Sequence, residues 1–442
     1  MKRIAILGAG LTGLSAAYHL RGRYDIFEQE AEVGGLCRTM RRNGFLFDYT
    51  GHLLHVSRSY TKQLIQRLLP EQYRVLSRQA YIYTHGRYVN YPFQANLYGL
   101  PPEVVKECIM GFVETLRDGG LVLSGVERPA EAAAAPPRSF HAWVLETFGA
   151  GIAKHFMFPY NQKIWRTPLT ELSADWVAWA IPKPTLDEFL NGALGIRNPA
   201  FGYNPTFLYP KTGGAERLPQ AFLRHLRPDR VHYGKQVVAI DAAARRIRFA
   251  DQSTYHYDAL IATLPLKHLV ALLQDAPEPV TRAGQQLRHI AVYNLNLGVN
   301  RPNISEKHWI YFPEPEFSFY RVGFPTNFSD AVAPAGCSSM YVEVSALPHE
   351  TLGERSLLAG VYDGLQRCGI LTAADQILVS DVVRIDCAYV LYDLHRTQAL
   401  NTIQPYLRQQ RIYAVGRYGA WEYSAMEDAI LAGKQIAETL RP

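Results

Sequence analysis

The first twenty residues of the chain leave few folds open. An apolar run, Ile4-Ala5-Ile6-Leu7, breaks into Gly8-Ala9-Gly10-Leu11-Thr12-Gly13 and resumes as a helical pattern from Leu14 to Leu20. Strand, glycine turn and helix in that order match a dinucleotide-binding fingerprint. Gly8 permits the tight turn, Gly10 lets backbone approach a pyrophosphate, and Gly13 lets the helix pack on the strand. Amides at the helix start then face the phosphates. Glu28 closes a second apolar stretch, Tyr24 to Phe27, at the spacing expected of an acid that holds a ribose hydroxyl pair. The alternative is a glycine turn of purely structural purpose, and the strand context with its spaced acid argues against it.

A length of 442 residues allows two or three domains and a substantial core. The net charge of +6 is spread along the chain, not gathered into a Lys/Arg run. That suits an anionic small ligand and does not indicate nucleic acid. Cys37, Cys108, Cys337, Cys368 and Cys387 show neither CxxC nor Cys/His spacing, so neither a disulfide framework nor a metal site is expected. No apolar run approaches membrane-spanning length, and Met1-Lys2-Arg3 leads straight into the first strand. The expected setting is a reducing cytoplasm without membrane attachment. The 27 tyrosines fit a polar ligand pocket, or core edges with hydroxyls in water.

Further along, Val33-Gly34-Gly35-Leu36-Cys37-Arg38-Thr39 forms a second glycine loop, followed by a hairpin-like stretch from Gly44 to Asp48. Residues 119–137 contain the low-complexity run Glu-Ala-Ala-Ala-Ala-Pro-Pro and read as an exposed loop or insertion. From Ser139 to Leu194 the pattern is helical, with Phe140, Trp143, Val144 and Phe148 on one face. Val231 to Phe249 and His256 to Ala262 alternate like strands, with Asp251-Gln-Ser marking a turn, and 290–345 suggest a larger antiparallel sheet. The chain closes with a strand, a loop and a helix from Ile412 to Leu440.

The second glycine loop points to a flavin more than to a nicotinamide. Gly34 and Gly35 can bring backbone against the cofactor while Arg38 neutralises its diphosphate; a tight surface turn with a solvated arginine is the alternative. The expected fold is α/β, with a Rossmann-type FAD-binding domain over 1–75, 196–265 and 400–442. A helical domain is expected over 100–195, and an antiparallel β-sheet domain over 76–99 and 266–399.

Several blocks carry a resemblance. They include Tyr91-Pro-Phe-Gln94, Phe156-Met-Phe-Pro-Tyr-Asn-Gln-Lys-Ile-Trp165, Asn204-Pro-Thr-Phe-Leu-Tyr-Pro210, Trp309 to Pro313, Phe319-Tyr-Arg321 and Gly416 to Met426. With the two glycine loops they span nearly the whole chain, and in family order. The sequence resembles the eukaryotic-type UDP-galactopyranose mutases, within the flavin fold shared by amine oxidases and protoporphyrinogen oxidase.

The resemblance implies roles. FAD would be held by Gly8, Gly10, Gly13, Glu28, Gly34, Gly35, Arg38, His52, Val238, Arg417 and Met426. Tyr91 and Gln94 would hold uracil, with Phe156, Asn161 and Trp165 bordering the nucleotide. Tyr311, Arg321, Tyr389 and Tyr423 would surround the diphosphate, with Asn204 near the sugar. Arg321, His52, Tyr389, Tyr423 and Asn204 form the implied catalytic set, with no metal. Taken singly, Trp165 and Phe156 read more readily as core than as ligand contacts, His52 reads equally as an interior histidine, and Tyr389 and Tyr423 as ordinary buried tyrosines; their sequence order favours the site.

The implied reaction is a redox-neutral exchange of pyranose and furanose forms of a UDP-hexose. Reduced flavin N5 would attack the anomeric carbon, with NAD(P)H a candidate reductant. The implied partner is a nucleotide sugar; no oligomeric state is implied. Two departures stand out. Ala180 occupies the place of a second diphosphate-binding arginine, whose charge Arg166 or Lys183 would have to supply, and Thr50 replaces a glycine beside His52. An arginine–phosphate bond contributes about 1.5–3 kcal/mol, so the first departure bears on which nucleotide sugar is accepted. The alternatives are an amine-oxidase-type FAD oxidoreductase, altered flavin chemistry on another nucleotide sugar, and a flavin-binding relative without turnover.

Overall fold

The computed structural model describes residues 3–22, 24–118, 138–177, 181–196 and 205–441. Ile4–Leu7 is the central strand of a five-stranded parallel sheet. Ala259–Ala262 and Ile412–Ala414 lie on one side of it, Asp25–Phe27 and Val231–His232 on the other. Its four residues are all buried, as a parallel strand covered on both faces requires. Because the chain leaves this strand towards different neighbours, a crevice opens beyond its C-terminal end. The helix Leu11–Leu20 follows the glycine turn and packs against the closing helix Met426–Leu440, where the Ser15 hydroxyl donates to Ile430 O at 2.6 Å. The two ends of the chain therefore share one layer. A three-stranded meander (Val237–Asp241, Arg246–Phe249, Thr254–His256) lies beside it.

A seven-stranded sheet forms the second layer. Its order is Ile377–Val390, His289–Val299, Ser338–Ala346, Arg321–Gly323, Trp309–Tyr311, Ala80–Thr84, Arg87–Asn90. The expectation of a larger antiparallel sheet meets one exception: Trp309–Tyr311 pairs with Ala80–Thr84 in parallel. Strands more than two hundred residues apart meet there, so no hairpin constrains their direction.

A helical layer covers one side of this sheet. Phe140–Ile152 buries Phe140, Trp143, Val144 and Phe148, the face its periodicity marks out. A single π-turn, Ala153–Met157, joins it to Phe158–Trp165. Gly149 and Gly151 permit a close crossing with Pro102–Asp118, since a Cβ at either would run into that helix's backbone. The aromatic core beneath includes Phe112, Phe148, Phe156, Trp165, Trp176 and Phe189. The low-complexity run of 119–137 lies outside the described residues, as do Asn204 and Ala180.

Candidate active site

A cavity of about 960 Å³ begins at the C-terminal end of Ile4–Leu7 and runs to one face of the seven-stranded sheet. Its first half is backbone. Gly8 sits at φ +97° and donates its N–H to Phe27 O at 2.9 Å. Gly34 donates to Ala9 O at 2.9 Å, and a Cβ on Gly35 would lie 3.3 Å from Gly10 Cα, so the two glycine loops rest on each other. The Glu28 carboxylate accepts from the Ala9 N–H at 2.6 Å and the Glu30 N–H at 3.1 Å. Arg38 donates to Gly35 O at 3.0 Å and pairs with Glu30 at 3.2 Å. Gly8, Gly10, Glu28, Gly34, Gly35 and Arg38 all line the cavity, and Met426 enters it at the start of the closing helix.

Two expected cofactor contacts sit differently. Gly13 lies in the first turn of the helix, where a Cβ would come 2.0 Å from Gly8 O; it shapes the cradle without lining it. Val238 is 38% exposed, while Val237 faces the cavity. Successive strand residues point to opposite faces, so a one-residue error in placement inverts the side chain.

The second half is side chains. Tyr91, Tyr311, Arg321, Tyr389 and Tyr423 line it, as does Arg417. Arg321 is held by both oxygens of Glu343, Nε to Oε2 at 2.9 Å and Nη2 to Oε1 at 2.5 Å, and Glu343 is fully buried. The two face each other across adjacent antiparallel strands. Glu343 holds Arg321 firmly charged despite its burial. Tyr91, Tyr311 and Tyr389 are pushed above the usual phenol range by burial, so all three are neutral hydrogen-bond donors near pH 7.

His52 lies between the halves, its backbone N–H donating to Thr50 O at 2.9 Å. Burial pushes its pKa down to about 4, with Arg417 and Arg321 adding to the shift, so the ring is neutral at pH 7. Thr50 keeps a glycine-like backbone, φ +149°. Arg417 donates to Ser424 O and Ala388 O, and its guanidinium carbon lies 5.4 Å and 5.2 Å from the ring centres of Tyr389 and Tyr423. His52 Nδ1, Arg417 Nε and Ser424 Oγ are buried without a protein partner. Three such atoms in residues around one cavity, together with a glycine cradle, fit a polar dinucleotide that completes their hydrogen bonds.

Four expected substrate contacts stand outside the lining. The Gln94 amide is 1% exposed at the residue level and donates to Pro182 O at 2.8 Å. Phe156 stacks between Phe93 and Tyr160. Asn161 bridges Met157 O and the Trp165 indole N–H. Trp165 meets Tyr389 edge-on at 5.8 Å, so this group backs the tyrosine wall. Neither cation suggested to replace the missing arginine reaches the cavity: Arg166 pairs with Glu350 and Lys183 lies over Trp143. Arg78, which no motif marks, lines it instead, its guanidinium carbon 5.2 Å from the Tyr91 ring centre. Glu343 carried a readable signal, a lone acid in the apolar strand sequence Ser-Ser-Met-Tyr-Val-Glu-Val-Ser-Ala.

Fold and cavity together define an FAD-binding flavoprotein. The chain belongs to the flavin-containing amine oxidoreductase family, whose model matches residues 11–441. It is 23% identical over 301 residues to protoporphyrinogen oxidase 2, chloroplastic/mitochondrial, of Arabidopsis thaliana, a match covering 60% of this chain and 58% of that one. A shorter match, 39% over 72 residues, is to human prenylcysteine oxidase 1, of which it covers 14%. Among solved structures, a reduced UDP-galactopyranose mutase superposes with a TM-score of 0.91 at 28% identity, covering 100% of this chain and 94% of that one. Putrescine oxidase bound to putrescine shares the fold, with a TM-score of 0.69 at 17% identity over 99% of this chain and 98% of that one. Among the described residues no helix is long and apolar enough to cross a membrane, and no cluster of metal-ligating side chains occurs.

Proposed function

We propose that this flavoprotein interconverts pyranose and furanose forms of a UDP-hexose. One observation carries the reading: the glycine cradle opens directly onto a wall of arginines and neutral phenols suited to an anion. Full-length similarity to a UDP-galactopyranose mutase supports it.

In this reading Arg321 and Arg78 attract the diphosphate, while Tyr311, Tyr389 and Tyr423 donate hydrogen bonds that hold it for recapture. Glu343 offsets the Arg321 charge but keeps the guanidinium in one orientation; Nη1 takes no part in that pair. His52, neutral at pH 7, orients the loop beside the cofactor without adding charge. Packed behind the tyrosine wall, Gln94, Phe156, Asn161 and Trp165 set the nucleotide end; the resemblance assigns Asn204, outside the described residues, to the sugar. Bound and reduced, FAD supplies the nucleophile, and NAD(P)H is the proposed reductant. No strong protein base is required.

A second reading, an oxidoreductase of the amine-oxidase type, draws on the names of the matched relatives and on the offset of Arg321 by Glu343. The two separate in one experiment. Dithionite-reduced protein incubated with UDP-galactopyranose should yield a furanose product on chromatography, and oxidised protein should yield none. Absence of furanose, with peroxide released from an amine under air, would replace the mutase by the oxidase.

A further inference from the structure

We propose that Lys163 is a positioning residue: its ammonium group ties the helix Phe158–Trp165 to the turn 312–320 and so sets Tyr311 and Arg321 at the cavity wall. The inference rests on reading that wall as the binding face for an anionic ligand.

The Lys163 Nζ donates to Phe312 O at 2.8 Å, to Glu314 O, and to Phe319 O at 3.3 Å. Three acceptors match the three hydrogens of an ammonium group. All three belong to the turn between the strands Trp309–Tyr311 and Arg321–Gly323, which the Phe312 N–H closes onto Tyr320 O at 3.0 Å. Phe312 is adjacent to Tyr311, and Phe319 is two residues from Arg321. The turn has a second anchor on its far side, where the Glu314 carboxylate accepts from the Thr84 hydroxyl and the His85 N–H. A turn bracketed in this way holds both wall residues in register, and the helix that supplies the lysine also carries Asn161 and Trp165.

Burial lowers the Lys163 pKa to about 7, partly countered by Glu314 and Glu316 on the turn. The sign follows from hydrogen count. Below pH 7 the ammonium serves all three carbonyls; above it the neutral amine keeps two hydrogens and one carbonyl is released. Order in the turn should therefore fall as pH rises through about 7.

The flavin-loaded protein tests this with Lys163→Met and Lys163→Arg. Hydrogen exchange across 309–323 should accelerate at least about tenfold in Lys163→Met, the equivalent of losing even one of its three charge-assisted hydrogen bonds, with the parallel sheet unchanged. UDP affinity, followed by flavin absorbance, should weaken by about the same factor. Lys163→Arg should restore most of both. Unchanged exchange in 309–323, or acceleration spread evenly over the chain without rescue by arginine, would overturn the proposal. Should Lys163→Met fail to fold, Lys163→Gln, which keeps two N–H donors on a shorter side chain, decides: exchange of 309–323 unchanged from the wild type counts against the proposal. Failure of the wild type to bind UDP would count against the reading of the wall, while the exchange data still judge Lys163.

Discussion

At the cradle end of the cavity the ligand-facing groups are largely main chain, supplied by Gly8, Gly10, Gly34 and Gly35 within thirty residues of one another. At the sheet end they are side chains from positions 78, 91, 311, 321, 389, 417 and 423, gathered by strand register and long connections. The first end is specified locally and tolerates little added volume. The second depends on pairs, such as Arg321 with Glu343, whose members mean little apart. A family can hold the first constant and change its chemistry through the second.

The largest test falls on the sheet end. Arg321→Ala leaves Glu343 buried and uncompensated, so chemical denaturation should show a loss of about 3–5 kcal/mol. Turnover should disappear while bound flavin remains. The double variant Arg321→Met/Glu343→Leu should recover stability without recovering activity; a single variant of wild-type stability would mean the pair is not buried as described.

A smaller effect is expected at the cradle. Gly13→Ala places a Cβ against Gly8 O, and overpacking of this kind costs about 1–3 kcal/mol. The flavin-to-protein ratio of the purified variant should fall. Full flavin occupancy with unchanged stability would show that the contact between helix and strand does not shape the cradle.

The smallest concerns the seam between the two. Thr50 holds φ +149°, a conformation that costs a non-glycine residue energy. Thr50→Gly should raise stability by about 1 kcal/mol after the entropy of glycine is deducted. A lower melting temperature would indicate that the threonine side chain contributes more than its backbone strain costs.

Much of the cradle could be read from residue order. Strand, glycine turn and helix are adjacent in the chain, and Glu28 follows at a fixed interval, so local sterics suffice to place them. Val238, which the resemblance implied, is exposed beside the lining residue Val237, because a strand's facing is decided by its packing. The sheet end was legible through its motifs, yet the partner of Arg321 and the presence of Arg78 were not marked by any spacing. Gln94, Phe156, Asn161 and Trp165 could be grouped from their blocks, but their depth behind the tyrosine wall required the helical layer to be in place.

Residue order alone marked the two glycine loops and the apolar face of Phe140–Ile152, since each follows from short-range backbone preference or one apolar stripe. Folding in three dimensions decided which charges meet. Arg321 and Glu343 face each other through the register of two strands, and Lys163 reaches three carbonyls because a helix from another layer crosses that turn. Such contacts join residues separated by tens to hundreds of positions, and no local preference encodes them.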